Sequence, residues 1–417
     1  MDKDNIGTQH RRHWVGLDWG GQAHAVSVVD DERALVAQFA VPADLGGLKA
    51  LAARLESLGG VAGIAVESTC EPVVGHLKAR GFTIYPVNPK LSKNWREGNS
   101  VAGVKSDVRD GLVLAAELAR RHESLRPLGK CGAAAAALGG QCRTLRDLVE
   151  QRTALLQRLK ATLRRYYPGV LPFFSDWGSP AAWRFLKRFP GPESLAAARK
   201  ATVVQFLKAN RIGLRPAWLK RIDSRSSVVD WPVPDDSVAL EAMALATVAQ
   251  LQALQPHIDK LDASIGKAAE DLPAAELLAS LPGAGSRLAP ALTAMVLSVE
   301  KEGDRLRALR CISGVAPVEM QSGKSRRTYI RRRCNKHWRN VLHLFARCST
   351  IFSPWARAFY DLRREKGDSH AAALRKLADK WLKIIDRMVE NKEKYDEAHY
   401  IEALRKSGSP VYAKICG

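Results

Sequence analysis

The chain has 417 residues, of which 46% are hydrophobic and 26% are charged, and its formal net charge is +22. This length predicts two or three domains with hydrophobic cores, and the composition excludes a wholly disordered protein. The polar start predicts no signal peptide, and no apolar run approaches the roughly 18 residues that a membrane helix needs. We therefore expect a cytoplasmic protein, associated with the nucleoid, that has no membrane partner.

The seven cysteines form no CxxC pair, and their number is odd. Scattered spacings of this kind favour reduced thiols over disulfides and make a zinc site improbable.

The positive charge is concentrated in the second part of the chain. Residues 1–150 contain 19 Lys and Arg against 17 Asp and Glu, a net charge of +2, so residues 151–417 carry +20. This asymmetry predicts that a polyanion binds mainly to the later residues. The alternative is a soluble basic protein without such a partner.

Residues 1–125 predict an α/β domain. Apolar runs predict strands at 13–18, 24–30, 34–41, 61–67 and 82–87. Helices are expected at 45–58, where Asp44 can cap the first turn, at 72–80 and at about 105–122, with a loop before the last one. Three meander strands followed by alternating helices and strands form the element order of a ribonuclease-H-like fold.

Residues 140–272 predict a helical, coiled-coil middle region. One helical stripe is interrupted by Arg152, and a later heptad seam contains Pro256, which predicts a kink. We interpret the paired seams as a coiled-coil arm for oligomerisation, giving a homo-dimer or tetramer. Residues 166–237, between the two helices, receive no functional prediction. The seam residues are Leu145, Leu148, Leu155, Leu159 and Leu163 in the first helix, and Val248, Leu251, Leu254, Ile258, Leu261 and Ile265 in the second.

Residues 273–417 predict a mostly helical domain with an amphipathic stretch at 371–390. The sequence LPGAG at 281–285 is typical of a helix-hairpin-helix-like turn. Gly283 and Gly285 would let backbone N–H groups approach a phosphate at a helix N-terminus. A simple helix end and turn is the alternative.

Four acids stand where the predicted α/β domain could bring them together. Asp18 and Glu67 end two strands, and Asp107 and Asp110 open a helix with an (i, i+3) spacing that puts them on one face. Four converging carboxylates would repel one another unless cations lay between them, and oxygen ligands suit Mg²⁺ or Mn²⁺. A pair of such ions can support phosphodiester chemistry. Alternatively, Asp107 only favours its helix N-terminus.

Residues 321–339 contain eight cations and no acid. Such a density of cations binds phosphates, and the interleaved Tyr329 and Trp338 could stack on bases. A solvated basic face is the alternative. The predicted nucleic-acid contacts in this segment are Lys324, Arg326, Arg327, Tyr329, Arg331, Arg332, Arg333, Lys336, Trp338 and Arg339.

Ser322 lies in the turn-like sequence QSGK within this basic segment. A serine hydroxyl is a poor nucleophile unless a base or nearby cations stabilise its alkoxide, and these cations would also stabilise the charge of phosphoryl transfer. Ser322 is therefore a candidate nucleophile. Ser325 and Tyr329 are rivals in the same segment.

Taken together, VGLDWG, AVEST, KSDVRD, LPGAG and QSGK resemble the DEDD transposases of bacterial insertion sequences, the IS110 group of bridge-RNA-guided recombinases. The resemblance covers roughly residues 14–122 and 276–350. It implies a RuvC-like first domain whose acids are Asp18, Glu67, Asp107 and Asp110. Gly111 departs from the usual small Ala after the last acid.

The resemblance also implies a mechanism. A serine, here Ser322, forms a covalent phosphoserine with DNA in a site shared between protomers, and a noncoding RNA pairs with donor and target DNA. Two other hypotheses stay open: a RuvC-like junction nuclease that hydrolyses DNA with water, and a non-enzymatic nucleic-acid-binding protein.

Overall fold

The computed structural model describes residues 12–67, 72–98, 107–125, 127–128, 132–232, 234–299, 304–323 and 325–416. The chain divides into two compact units, Met1–Gly129 and Lys130–Gly417.

The first unit is built on a mixed five-stranded sheet. Its strands are β1 (His13–Asp18), β2 (Ala23–Val29), β3 (Leu35–Pro42), β4 (Val61–Val66) and β5 (Ile84–Pro86). The order across the sheet is β3-β2-β1-β4-β5, with β1, β2 and β3 antiparallel and β1, β4 and β5 parallel. The predicted meander and the α/β class are confirmed, and the arrangement is consistent with a RuvC-like domain.

Four α-helices flank this sheet: α1 (Leu45–Leu58), α2 (Pro72–Ala79), α3 (Pro89–Gly98) and α4 (Asp107–Arg121). The predicted cap of α1 is present, because Asp44 Oδ1 accepts a hydrogen bond from the Gly47 amide at 2.7 Å. The prediction of a loop before α4 was wrong, since α3 occupies part of it. Its sequence is mostly polar, but Trp95 is buried against Trp14 and Leu114 and anchors the helix.

Helix α4 lies directly on strand β1 because glycines face each other at the crossing. A Cβ atom on Gly16 would be 1.9 Å from the Gly111 carbonyl oxygen. A Cβ atom on Gly111 would be 3.3 Å from Ser27 Oγ, so even an alanine there would be tight. The glycine at position 111 thus lets the helix approach the sheet closely.

The second unit is mostly helical. Two helices of 34 residues each, α5 (Ala133–Tyr166) and α10 (Ser237–Glu270), pack against each other. Between them lie α6 (Pro180–Arg188), α7 (Pro192–Ala196), α8 (Lys200–Ala209) and α9 (Pro216–Asp223). After them come α11 (Ala275–Ala279), α12 (Gly285–Leu297), α13 (Arg305–Ile312), strands β6 (Val318–Ser322) and β7 (Ser325–Tyr329), α14 (Lys336–Phe352), α15 (Pro354–Glu365), α16 (His370–Asn391), α17 (Glu397–Lys406) and α18 (Pro410–Cys416).

The α5–α10 pair runs through two hydrophobic cores. Leu159 and Leu163 of α5 join Val248 of α10 in a core with residues 166–229. Leu145 of α5 joins Ile265 of α10 in a second core with α12, α14 and α16. The predicted seams are therefore buried within one chain rather than forming the free face of an oligomerisation arm. Arg152, which interrupts the stripe, donates to the Gly178 carbonyl at 3.0 Å.

Helix α10 continues through Pro256, whose side chain is exposed. It is also long and apolar enough, with a mean hydropathy of 1.4 over its best window, to cross a membrane by composition alone. The sequence prediction, which considered only uninterrupted apolar runs, therefore needs that qualification. Only 28% of that window is buried, although its buried residues pack in both cores, and one helix of this composition is weak support for a membrane span.

Candidate functional site

Two of the four predicted acids lie at the ends of neighbouring parallel strands. Leu17 of β1 is in register with Val66 of β4, so Asp18 and Glu67, the next residues along each chain direction, lie at the same edge of the sheet. Both side chains are partly buried. Parallel pairing of β1 and β4 is what brings these carboxylates to one edge.

The other two acids open helix α4, which crosses this sheet. Asp110 is 5% exposed, and its Oδ2 atom is 2.6 Å from Arg96 Nη1. The helix begins at Asp107, but the Asp107 side chain lies outside the described part of the chain. The close contact at Gly16 and Gly111 holds the start of α4 against β1.

Arg96 of helix α3 is the cation around which the acids gather. Its partial burial by itself lowers the pKa of the guanidinium, but the hydrogen bond to Asp110 and the charges of Asp110, Glu67 and Asp18 outweigh this and raise the pKa above its ordinary value. All three carboxylates therefore act on one positively charged group.

The chemistry of these oxygen donors suits a divalent cation. Among the side chains that the structure describes, however, no three His, Cys, Asp or Glu residues are grouped closely enough to hold a metal ion. Asp110 pairs with a guanidinium instead, and the charges of Glu67 and Asp18 also act on it.

Helix α3 contributes a second polar side chain that the sequence prediction missed. Ser92, one turn before Arg96, is 1% exposed and donates a short hydrogen bond to Glu67 Oε1. The (i, i+4) spacing of Ser92 and Arg96 puts both on one helix face, and Trp95 packs into the core beside them. A helical reading of PKLSKNWREG, with the proline at its first position, could have found this pair.

Ser322 lies at the tip of the β6–β7 hairpin. It pairs with Ser325 across the strands, and Gly323 follows it with a φ angle of +55°. That left-handed conformation favours glycine and fits a tight hairpin turn. Every described residue from Glu319 to Tyr329 is exposed, whereas Lys324 lies outside the described residues. The hydroxyl of Ser322 therefore faces solvent.

Most of the predicted cations lie on this hairpin and its exit. Arg327, Arg332, Arg333 and Lys336 are exposed, as is Tyr329, whose side chain is 47% exposed. Arg326 is balanced by Glu319, with which it forms a short ion pair across the strands. The acid-free segment therefore has one neutralising partner just outside it.

Three other members of this segment are turned inward. Trp338 is 5% exposed in the core beside Gly139, and this burial makes the predicted stacking on bases wrong. Arg331 Nε donates to the Ala316 carbonyl at 3.3 Å, and Arg339 donates to the Arg331 carbonyl. At the start of α14 the apolar face of the helix covers the core, so the side chains there are turned inward.

Of the two glycines of the LPGAG turn, Gly283 lies between α11 and α12 and Gly285 is the first residue of α12, and they have different surroundings. Gly283 has a φ angle of +79°, and a Cβ atom there would be 2.9 Å from the Cys348 carbonyl carbon of α14. Because Gly283 has no side chain, α14 can approach the turn closely, a role that the sequence prediction did not include. Gly285, with a φ angle of +56°, is exposed and has open space around it.

Comparison with known sequences identifies the family. Residues 15–168 match the IS110-type DEDD transposase profile, described as a transposase, and residues 275–361 match the transposase IS116/IS110/IS902 family. A putative transposase for the IS117 mini-circle of Streptomyces coelicolor is 30% identical over 402 residues, covering 92% of this chain and 95% of the relative.

More distant relatives match almost the whole chain as well. An uncharacterised 42 kDa protein of the insertion element IS900 from Mycobacterium paratuberculosis is 25% identical over 92% of this chain and 97% of its own length. A 44.8 kDa protein of IS116 from Streptomyces clavuligerus is 24% identical over 94% and 98%, respectively. With an α/β acid-bearing unit followed by a helical unit with a basic hairpin, the chain belongs to the IS110 family of transposases.

Proposed function

We propose that this transposase cuts and rejoins DNA strands with an acid site that binds Mg²⁺ or Mn²⁺ and with Ser322 as the nucleophile. The observation that carries the proposal is that Asp18 and Glu67 share one edge of the sheet and that their charges, with the ion pair of Asp110, act on a single cation, Arg96. Asp107 is the fourth acid of the proposed site. Carboxylates kept close together in this way need a positive partner.

Ser322 supplies the covalent step of the proposal. Its Oγ atom attacks a backbone phosphorus, so that an Oγ–P bond forms as a P–O bond of the DNA breaks. The serine proton goes to a base or to solvent, and the departing deoxyribose oxygen takes up a proton. A hydroxyl group of the incoming strand then attacks the same phosphorus, and the serine oxygen leaves.

The chain's own cations assist this step. Arg327, Arg332, Arg333 and Lys336 are exposed near the hairpin, where they would hold the DNA backbone and offset the charge on the phosphorus that is attacked. A divalent ion held by the acids would stabilise the attacking and leaving oxygens of the strands. The sequence resemblance to the family supports a composite site in a homo-dimer or tetramer.

The nucleophile is tested by trapping the protein–DNA adduct. Ser322→Ala should abolish the adduct and leave nucleic-acid binding intact, while Ser325→Ala, across the hairpin, should keep it. An adduct that persists in Ser322→Ala would overturn this assignment and favour Ser325 or Tyr329. Cleavage without any protein linkage, even in the unchanged chain, would favour the water-dependent junction nuclease.

The acid site is tested by Asp18→Asn. Strand exchange should fall by at least about 10³-fold, because the loss of one carboxylate weakens the hold on the cation. The circular-dichroism spectrum should be unchanged. Full activity in this variant would favour the hypothesis that the acids are structural in a binding protein.

Guidance by a noncoding RNA is the third part of the proposal. It is supported by the family resemblance and by the +20 charge of residues 151–417, which exceeds what the hairpin alone carries. DNA and this RNA would be the partners, in the cytoplasm beside the nucleoid. RNA transcribed from the regions flanking the coding frame should bind the protein and direct strand exchange to matching DNA. Exchange that proceeds equally well without RNA would contradict the guided reaction.

A further inference from the structure

Helix α3 is fixed over the acids by its own packing. Trp95 is 4% exposed and anchors the helix in the core, and Ser92 is 1% exposed. Because Ser92 and Arg96 are one turn apart, the anchored helix turns both toward the carboxylates, where they contact Glu67 and Asp110. The guanidinium is thus held in place by the fold rather than resting on the surface.

The charges around Arg96 are unequal. The guanidinium is paired with Asp110, the charges of Glu67 and Asp18 also act on it, and the Arg96 side chain is only 30% exposed. A divalent cation would offset more of this negative charge, but it would be repelled by a guanidinium in the same place. The two cations therefore compete for Asp110.

We propose that Arg96 is a built-in counter-ion that occupies the acid site in the absence of metal and is displaced from Asp110 when a divalent ion binds. It stabilises the first unit without metal and lowers the affinity of the site for metal. This inference rests on the metal site proposed above. It makes metal binding depend on the release of one side chain of α3.

The test measures Mn²⁺ binding to the full chain by calorimetry, together with the melting temperature in EDTA. Arg96→Gln should bind Mn²⁺ about tenfold more tightly, a change of about 1.4 kcal/mol. Its melting temperature in EDTA should be lower than that of the unchanged protein, and Mn²⁺ should reduce the difference. Arg96→Lys, which keeps the charge, should fold like the unchanged protein and gain less affinity.

Lys93→Gln is the matched control. Lys93 lies on the same helix, is 67% exposed and pairs only loosely with Glu97, at 3.6 Å. Its removal takes away one positive charge from α3 without touching the acids, so Mn²⁺ affinity should stay unchanged. Equal Mn²⁺ affinity in the unchanged chain and in both Arg96 variants would overturn the proposed role of Arg96 but not the metal site. No Mn²⁺ binding in any of them would overturn the metal site as well.

A separate basic surface lies on helices α8 and α9. Residues 199–225 contain eight Lys and Arg residues and a single acid, Asp223. That acid is engaged by Lys200, whose Nζ atom is 2.7 Å from Asp223 Oδ1. Residues 199–225 therefore contain no further acid that could neutralise the other cations of this segment.

Four of these cations define the middle basic surface: Lys208, Arg211, Arg215 and Lys220. All are exposed, and none pairs with a carboxylate among the described residues of the chain. They follow one another over the end of α8, the connecting loop and the last turn of α9, and the two helices pack together on the buried Val203, Leu207 and Ile222. The scaffold beneath the charges is thus well packed.

We infer that the middle basic surface binds the phosphodiester backbone of a nucleic acid at a place separate in sequence from the serine hairpin. Unpaired cations on a packed scaffold release counter-ions when they bind phosphates, and this favours association at low salt. Contacts of this kind grip the backbone and do not read bases. The surface gives residues 166–237, which had no assigned role, a role in holding the substrate or the guide.

The test replaces Lys208, Arg211, Arg215 and Lys220 together with glutamine and measures binding of duplex DNA and of hairpin RNA over a salt series. The slope of log affinity against log salt should fall by about 2 to 4 for at least one of the two. The nucleic acid with the larger loss identifies the one held there. A control chain carries glutamine at Lys366, Lys380, Lys383 and Lys392, which are exposed on and beyond α15 and α16 and remove the same charge. Equal slopes in the two quadruple variants would overturn the inference.

Discussion

Asp110 is 5% exposed in the first turn of a helix that crosses the sheet, whereas Ser322 lies at the exposed tip of a two-stranded hairpin. The acids are held by β1, β4 and α4, and a cation from α3 already balances them. The serine is placed by one tight turn, and isolated two-stranded hairpins are marginally stable in water. The acid cluster is therefore built by packing, whereas the hairpin tip is placed by its turn and by the pairing of β6 with β7.

The largest expected difference between a packed and an exposed position is between the two aromatic residues of the basic segment, Trp338 and Tyr329. Trp338→Ala should lower the free energy of unfolding by about 4 kcal/mol, because it empties a buried core position. Tyr329→Ala should change stability by less than about 0.5 kcal/mol but weaken nucleic-acid binding about tenfold. Urea unfolding and fluorescence anisotropy measure the two effects. Equal stability losses would mean that the hairpin is as firmly packed as α14.

The packing beneath the acids is tested at the crossing of β1 and α4. Gly16→Ala should cost about 3 kcal/mol of unfolding free energy, since its Cβ would lie 1.9 Å from a backbone oxygen. Gly21→Ala, where a Cβ atom meets nothing within 4 Å, is the matched control and should be near neutral. A neutral Gly16→Ala would show that α4 can move away from the sheet, and the acids would then be less fixed than proposed.

The boundary between core and basic surface can be probed by pH at His337. Burial, reinforced by the nearby Arg146 and Arg143, lowers the pKa of this histidine to about 4. Because the folded pKa lies below the ordinary 6.5, its contribution is full above pH 6.5 and is lost as the pH falls toward 4. The free energy of unfolding should drop by roughly 2 kcal/mol more between pH 6.5 and 4.5 than in His337→Gln. Parallel pH curves would contradict the buried neutral imidazole.

The smallest expected effect separates two neighbouring arginines on the hairpin. Arg327→Gln should lower the slope of log affinity against log salt by about 1, because Arg327 is exposed and free to bind a phosphate. Arg326→Gln should lower it by less, since Glu319 already neutralises Arg326. Filter binding over a salt series measures both. Identical slopes would mean that Glu319 releases Arg326 when nucleic acid binds.

The sequence predicted those features that depend on local patterns. The strand order followed from the meander, and the placement of Asp18, Glu67 and Asp110 near one another followed from strand ends and helix spacing. It missed α3, because this mostly polar helix is stabilised by one tryptophan, and the core around that tryptophan is made of residues far apart in the sequence. The predicted stacking of Trp338 on bases failed for a related reason, because composition does not tell whether a side chain points into the core or into solvent.

The heptad seams illustrate the same limit. Periodicity identified both long helices correctly but left open whether their apolar faces meet a second chain or the same one. The buried partners of Leu145 and Val248 lie in this chain, and only tertiary packing could decide that.

The α5–α10 pair gives the second unit a fixed internal length. At 1.5 Å per residue, a helix of 34 residues spans about 51 Å. Within those 51 Å or so, the two halves of the pair are embedded in separate cores, so residues 166–229 and the helices of the C-terminal core are held along successive halves of one strut. That distance corresponds to about 15 base pairs of duplex DNA at 3.4 Å per step. The strut would act as a ruler, setting how far apart two gripped points on one nucleic acid can be.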